Sequence, residues 1–180
     1  MESGSGCRPT TQSWRTLVEL DQMQWSEETF PWSDRLLRIL RSWEGTPYKE
    51  RQCAKGGAVD CVRFTCAVYD ELEGVASRDH LLLPQDQALH SRETAIAAMK
   101  LVRSNYLPNK VVESSILEPG DQLTMGFIDG GPGHSMLAGP DGFLWHTDGV
   151  CVTRTGLVVP SGMELVRIYR AINRRDRWHR

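Results

Sequence analysis

The 180-residue chain contains no apolar run approaching the roughly 20 residues needed to cross a bilayer. Its opening, Met1 to Thr10, has no apolar stretch, so no secretory signal is expected there. Charge of one sign is not in excess: 21 basic and 23 acidic residues leave a net charge of −2. That balance excludes the strongly basic footprint of a nucleic-acid binder, and neither nucleic acid nor membrane is an expected partner. Cysteines number five, an odd count, and with no export signal a disulfide framework is disfavoured and reduced thiols are the default. No internal repeat and no low-complexity block interrupts the chain. What remains is a composition with 40% hydrophobic and 24% charged residues, at a length suited to one domain.

Residues 1–13 are small and polar, and 1–32 together are expected to form a leader or arm, with Trp14, Trp25 and Trp32 either packed on the domain or forming a binding surface. Over Ser33 to Trp43, apolar residues at 36, 37, 39, 40 and 43 predict a helix with Ser33 as its N-cap. Gly45-Thr-Pro-Tyr48 ends it, and the polar stretch 49–59 is expected to be a loop. A second helix is predicted from near Asp60 to Gly74, and a third over 86–104. The pattern then changes to short β-rich pieces at 110–117, 121–128, 134–138, 143–146, 150–153 and 163–171, separated by Gly- and Pro-containing turns. Helices followed by antiparallel strands make the fold class α+β. The segment 74–92 is either a lid or a plug, and 173–180 is expected to be a solvated basic tail after a domain spanning 33–172.

Cys61 follows a glycine-containing loop and opens the second helix. Unpaired N–H groups and the positive end of the helix dipole favour a thiolate there, which suits a nucleophile. Cys66, beyond the first turn, is assigned to packing. A nucleophile needs a base. His134 and His146 bracket one candidate hairpin, His134-Ser-Met-Leu-Ala-Gly-Pro-Asp-Gly-Phe-Leu-Trp-His146. With the turn centred on Pro140, they oppose each other directly across two strands and share a face. One imidazole would then take the thiol proton while the other holds it in the useful tautomer.

The ordered set Gly45-Thr-Pro-Tyr48, Gly56-Gly57, Asp60-Cys61, Pro119-Gly-Asp121, Gly133-His134 and Leu144-Trp-His146 resembles the NlpC-type cell-wall peptidases, papain-like cysteine hydrolases, over roughly residues 34–170. The resemblance implies a papain-like single domain with Cys61 as nucleophile, His134 as base and His146 as orienter. It also implies that Tyr48 lines the site, where its phenol could donate to an oxyanion beside the Cys61 N–H. Asp60, Val62 and Arg63 are candidate substrate contacts. The family usually carries Ser-Gly after Asp-Cys, whereas this chain has Val62-Arg63, which departs from the usual stem-peptide pattern. The stretch from Asp60 to Leu72 looks more like phage-tail and prophage members, so phage-tail proteins are possible partners. The expected location is cytoplasmic or virion- and prophage-associated. The implied substrate is a peptidoglycan peptide or another amide, and no cofactor is expected.

Three rivals share these residues. A zinc site of Cys61, His134 and His146 is chemically possible, although the cysteines form no matched knuckle pairs, and no metal is expected. An acyltransferase or deamidase would use the same thiol and imidazole. A tail or scaffold protein retaining the fold without activity would be expected to lose one of Cys61, His134 or His146, and all three are present.

Overall fold

The amphipathic stretch before Gly45 forms α1 (Ser33–Trp43), burying Leu36, Ile39, Leu40 and Trp43. Its N-cap is Trp32, not Ser33, and no side chain caps it: the Ser33 N–H donates to the Phe30 carbonyl, and Trp32 is held in place by its own burial. Helix α2 (Cys61–Glu73) runs from an Asp60 N-cap to a left-handed Gly74, as its sequence predicts. All of α2 is buried except Glu71 and Glu73, so it is the central helix and α1 lies against it. Trp43 Nε1 donates to Glu71 Oε1 at 2.7 Å and Arg35 donates to the Glu71 carbonyl at 2.8 Å, fixing the pair.

The structure is a computed structural model that describes residues 22–74, 109–112, 114–127, 133–159, 161–172, 174 and 178. The third helix expected over 86–104 and nearly all of the segment 74–92 lie outside these residues. Ten strands are seen among them: β1 (Gln24–Trp25), β2 (Cys53–Ala54), β3 (Ala58–Val59), β4 (Asn109–Val112), β5 (Ile116–Leu117), β6 (Gln122–Phe127), β7 (His134–Ala138), β8 (Leu144–Thr147), β9 (Val152–Thr155) and β10 (Met163–Ala171). The expected strand over 110–117 is divided between β4 and β5, and the expected loop at 49–59 contains the β2–β3 hairpin.

Six strands form an antiparallel sheet in the order β4-β10-β6-β7-β8-β9. One sheet face meets the two helices through Leu137, Trp145 and Val152. The other buries Leu123, Met125, Met136, Leu144, Leu165 and Ile168 beneath β1 and β5. The outer edge of β9 is covered by the segment after α1: Gly45 donates to the Val152 carbonyl, Val152 to the Thr46 carbonyl and Tyr48 to the Val150 carbonyl, all within 2.8 Å. This pairing closes an otherwise open sheet edge and carries Tyr48 to the start of α2.

The basic stretch 173–180 departs from the expected solvated tail at both of its described residues. Arg174 and Trp178 are 7% and 1% exposed. Trp178 stacks on Tyr69 and meets Trp32 edge-on, at centroid distances of 5.9 and 5.7 Å. The Arg174 guanidinium lies 5.2 Å from the Trp32 ring, donates to the Pro119 carbonyl and pairs with Glu118 and Asp121. Burial of this arginine is possible because two carboxylates and three aromatic faces meet it.

Candidate active site

Cys61 is the first residue of α2, and its position is set by Asp60. Asp60 Oδ1 accepts from the Arg63 N–H at 2.8 Å, while Oδ2 accepts from the Arg51 N–H at 2.9 Å and from Arg63 Nη1 at 2.6 Å. Arg63 is therefore buried on Asp60 and presents no free guanidinium to solvent. Val62 is buried as well. Of these candidate contacts, Val62 meets the Cys61 sulfur through its backbone.

The backbone N–H groups of Ser135, Val62 and Cys61 point to the Cys61 sulfur. Ser135 directly follows His134, so this places the thiol at the start of β7. The strands allow it because β7 and β8 pair at their turn end, Leu137 with Trp145 and Ala138 with Leu144. A polar chain locks the junction: Gln122 Nε2 donates to Ser135 Oγ at 2.9 Å, Ser135 Oγ lies 2.9 Å from Thr65 Oγ1, and Thr65 Oγ1 donates to the Cys61 carbonyl at 3.0 Å. Sequence reasoning did not find Ser135, Thr65 or Gln122. The available signal was that Ser135 and Leu137 alternate with His134 on β7 and so face α2.

His134 and His146 come together, with Nε2 of His134 3.0 Å from Nδ1 of His146 and the rings edge-on at 81°. The register differs from a turn centred on Pro140. Leu137 opposes Trp145, which centres the turn on Asp141 and makes the two histidines diagonal neighbours instead of a directly opposed pair. The displacement is two residues along the partner, so the shared face survives. Nδ1 of His146 also lies 3.2 Å from the carbonyl oxygen of Thr147.

The electrostatics run against a preformed thiolate. Burial, followed by the Asp60 charge, pushes the Cys61 thiol up to about 12, outweighing the three N–H groups. Burial, followed by the neighbouring His146, pulls His134 down to about 3. Burial lowers His146 too, opposed by the Thr147 carbonyl and by Asp148. The helix-start argument correctly identifies the field of α2, but the low-dielectric setting overrides it, and the resting pair is a thiol and a neutral imidazole. Tyr48 is pushed up to about 12 by burial and then by Cys61, so its phenol keeps the proton and remains a donor. Among the described residues, no group of three His, Cys, Asp or Glu side chains is arranged to hold a metal ion.

No protein-family profile and no curated protein matches this chain. Among solved structures, it is similar to an NlpC/P60 family protein from Bacillus cereus ATCC 10987, with a TM-score of 0.51 and 20% identity. The match covers 78% of this chain and 40% of that one, so this chain spans less than half the length of the structure it matches. The likeness extends to the fold and does not reach the phage-tail subgroup. The architecture is thus α+β of the NlpC/P60 type, with two N-terminal helices packed on an antiparallel sheet.

Proposed function

We propose that this protein is a cysteine hydrolase that cleaves an amide bond, with a peptidoglycan peptide as substrate. The observation that carries the reading is the 3.0 Å contact of His134 Nε2 with His146 Nδ1, beside a Cys61 sulfur that meets the Ser135 N–H. A thiol, an imidazole base and a second imidazole to orient it are the groups that acyl transfer by this route requires.

In this reading the substrate carbonyl enters beside Tyr48 and Cys61. Because the resting thiol is protonated, attack and deprotonation are coupled: the sulfur bonds to the carbonyl carbon as its proton passes to Nδ1 of His134. The Cys61 N–H and the Tyr48 phenol stabilise the oxyanion. Collapse breaks the C–N bond, His134 protonates the departing amine, and water attacks the thioester with His134 again as base. The Asp60–Arg63 pair leaves neither charge free beside the nucleophile, which favours a substrate that is uncharged at that position.

The test is incubation with purified peptidoglycan peptides followed by mass spectrometry of the products. New termini that appear with the wild type and vanish with Cys61→Ser support the reading. Their absence across crosslinked and uncrosslinked peptides overturns the substrate assignment. Absence of any acyl-enzyme mass on Cys61 with activated esters overturns the hydrolase itself.

A further inference from the structure

Deprotonating a thiol requires a bare nitrogen on the base, and the surroundings of His146 determine which nitrogen is bare. A backbone carbonyl only accepts hydrogen bonds. Nδ1 of His146 lies 3.2 Å from such a carbonyl, that of Thr147, and 3.0 Å from Nε2 of His134. One ring nitrogen either carries a proton or does not, so it presents the same character to both neighbours. If it carries the proton, it satisfies the Thr147 carbonyl and acts as a donor toward His134. Nε2 of His134 must then be bare, and the proton of the neutral ring sits on Nδ1. Since Nε2 is committed to His146, Nδ1 is the nitrogen left for Cys61, and in this tautomer it cannot accept the thiol proton. If Nδ1 of His146 is bare, His134 is armed, but two lone pairs then face each other across the His146–Thr147 gap.

We infer that the Thr147 carbonyl holds the His134–His146 pair in the unarmed tautomer at rest, making His146 a switch on the base as well as its support. This rests on the reading of Cys61 and His134 as nucleophile and base. Arming conserves protons: His134 loses the one on Nδ1 and gains one on Nε2, His146 does the same, and water carries both. The ionisable groups that act on His146 are His134 on β7 and Asp148 just beyond β8. Asp148 is occupied by the N–H groups of Val150 and Cys151. Protonation of His146 in acid keeps its Nδ1 a donor and so extends the unarmed state.

The experiment uses the full chain labelled with 15N in its imidazole rings, with long-range 1H–15N correlation spectra recorded at neutral pH. The wild type should show His134 protonated on Nδ1 and bare on Nε2. His146→Asp substitutes an acceptor-only group, and there His134 should carry a proton on Nε2. Iodoacetamide should then alkylate Cys61 roughly tenfold faster than in the wild type, an unusual gain for a change within the site. A wild-type His134 already protonated on Nε2, or an Asp variant that keeps the proton on Nδ1 alone, overturns the inference. The wild-type spectrum decides even if the variant fails to fold. Failure of the hydrolase reading would appear separately, as absence of peptide cleavage with the tautomer result unchanged.

Discussion

Cys61 is subject to two opposed influences, a helix N-terminus that favours the thiolate and burial that favours the thiol, and burial prevails. With the thiol pushed up to about 12, its alkylation rate should rise about tenfold per pH unit through the neutral range without a plateau. Peptide mapping of iodoacetamide adducts across pH checks this, and a plateau below neutrality would indicate an ion pair instead. His134 makes a second prediction. Its folded value, about 3, lies below the ordinary value of roughly 6.5, so between these the folded state binds fewer protons than the unfolded one. This contribution to stability is complete above about pH 6.5 and is lost as pH falls toward 3. Thermal melts should show His134→Asn losing less stability on acidification than the wild type. Both histidines are legible in the sequence because titratable residues at the ends of one hairpin are conspicuous. Their register is not, since it depends on where the turn bends. Here Gly139 donates to the Phe143 carbonyl and Asp141 accepts from Trp145 Nε1, moving the apex one residue past Pro140.

Helix α2 announces itself through Asp60, its apolar spacing and Gly74, because capping chemistry is local and the sequence carries it. The cap also closes an ion pair that the sequence does not reveal. Removing Asp60 orphans the buried Arg63 and the Arg51 N–H together, so Asp60→Ala should cost about 3–5 kcal/mol in urea unfolding. The double variant Asp60→Asn with Arg63→Met keeps a cap acceptor and leaves no buried charge, and should recover most of that loss. Recovery of none would show that the pair is not the source of the cost. The two-residue strands β2 and β3 escape periodicity because two residues define no pattern. They are placed by tertiary hydrogen bonds, such as Val59 N–H to the Pro47 carbonyl at 2.9 Å.

At the scale of the molecule, the part least visible in the sequence is the junction of distant segments. A run of arginines suggests solvent, yet Arg174 and Trp178 complete the packing behind α2, against Phe30, Trp32 and Tyr69. Trp178→Ala should cost about 3–5 kcal/mol by calorimetry or urea titration, because a large buried ring leaves a cavity. The surviving folded fraction should alkylate Cys61 at the wild-type rate, since the junction and the thiol meet different parts of α2. Gly120 reports on the same contact: it has φ of +85° and would place a Cβ 2.8 Å from the Trp178 ring, so Gly120→Ala should be disruptive as well. The α+β class is readable from the order of element types. The sheet order is not, because β10 inserts between β4 and β6 through pairings of long sequence separation. The junction also bears on biosynthesis. A ribosome makes Cys61 long before Trp178, so during translation α2 lacks this part of its backing until residue 178 clears the exit tunnel. The packing behind α2 is therefore completed only when residue 178 has emerged.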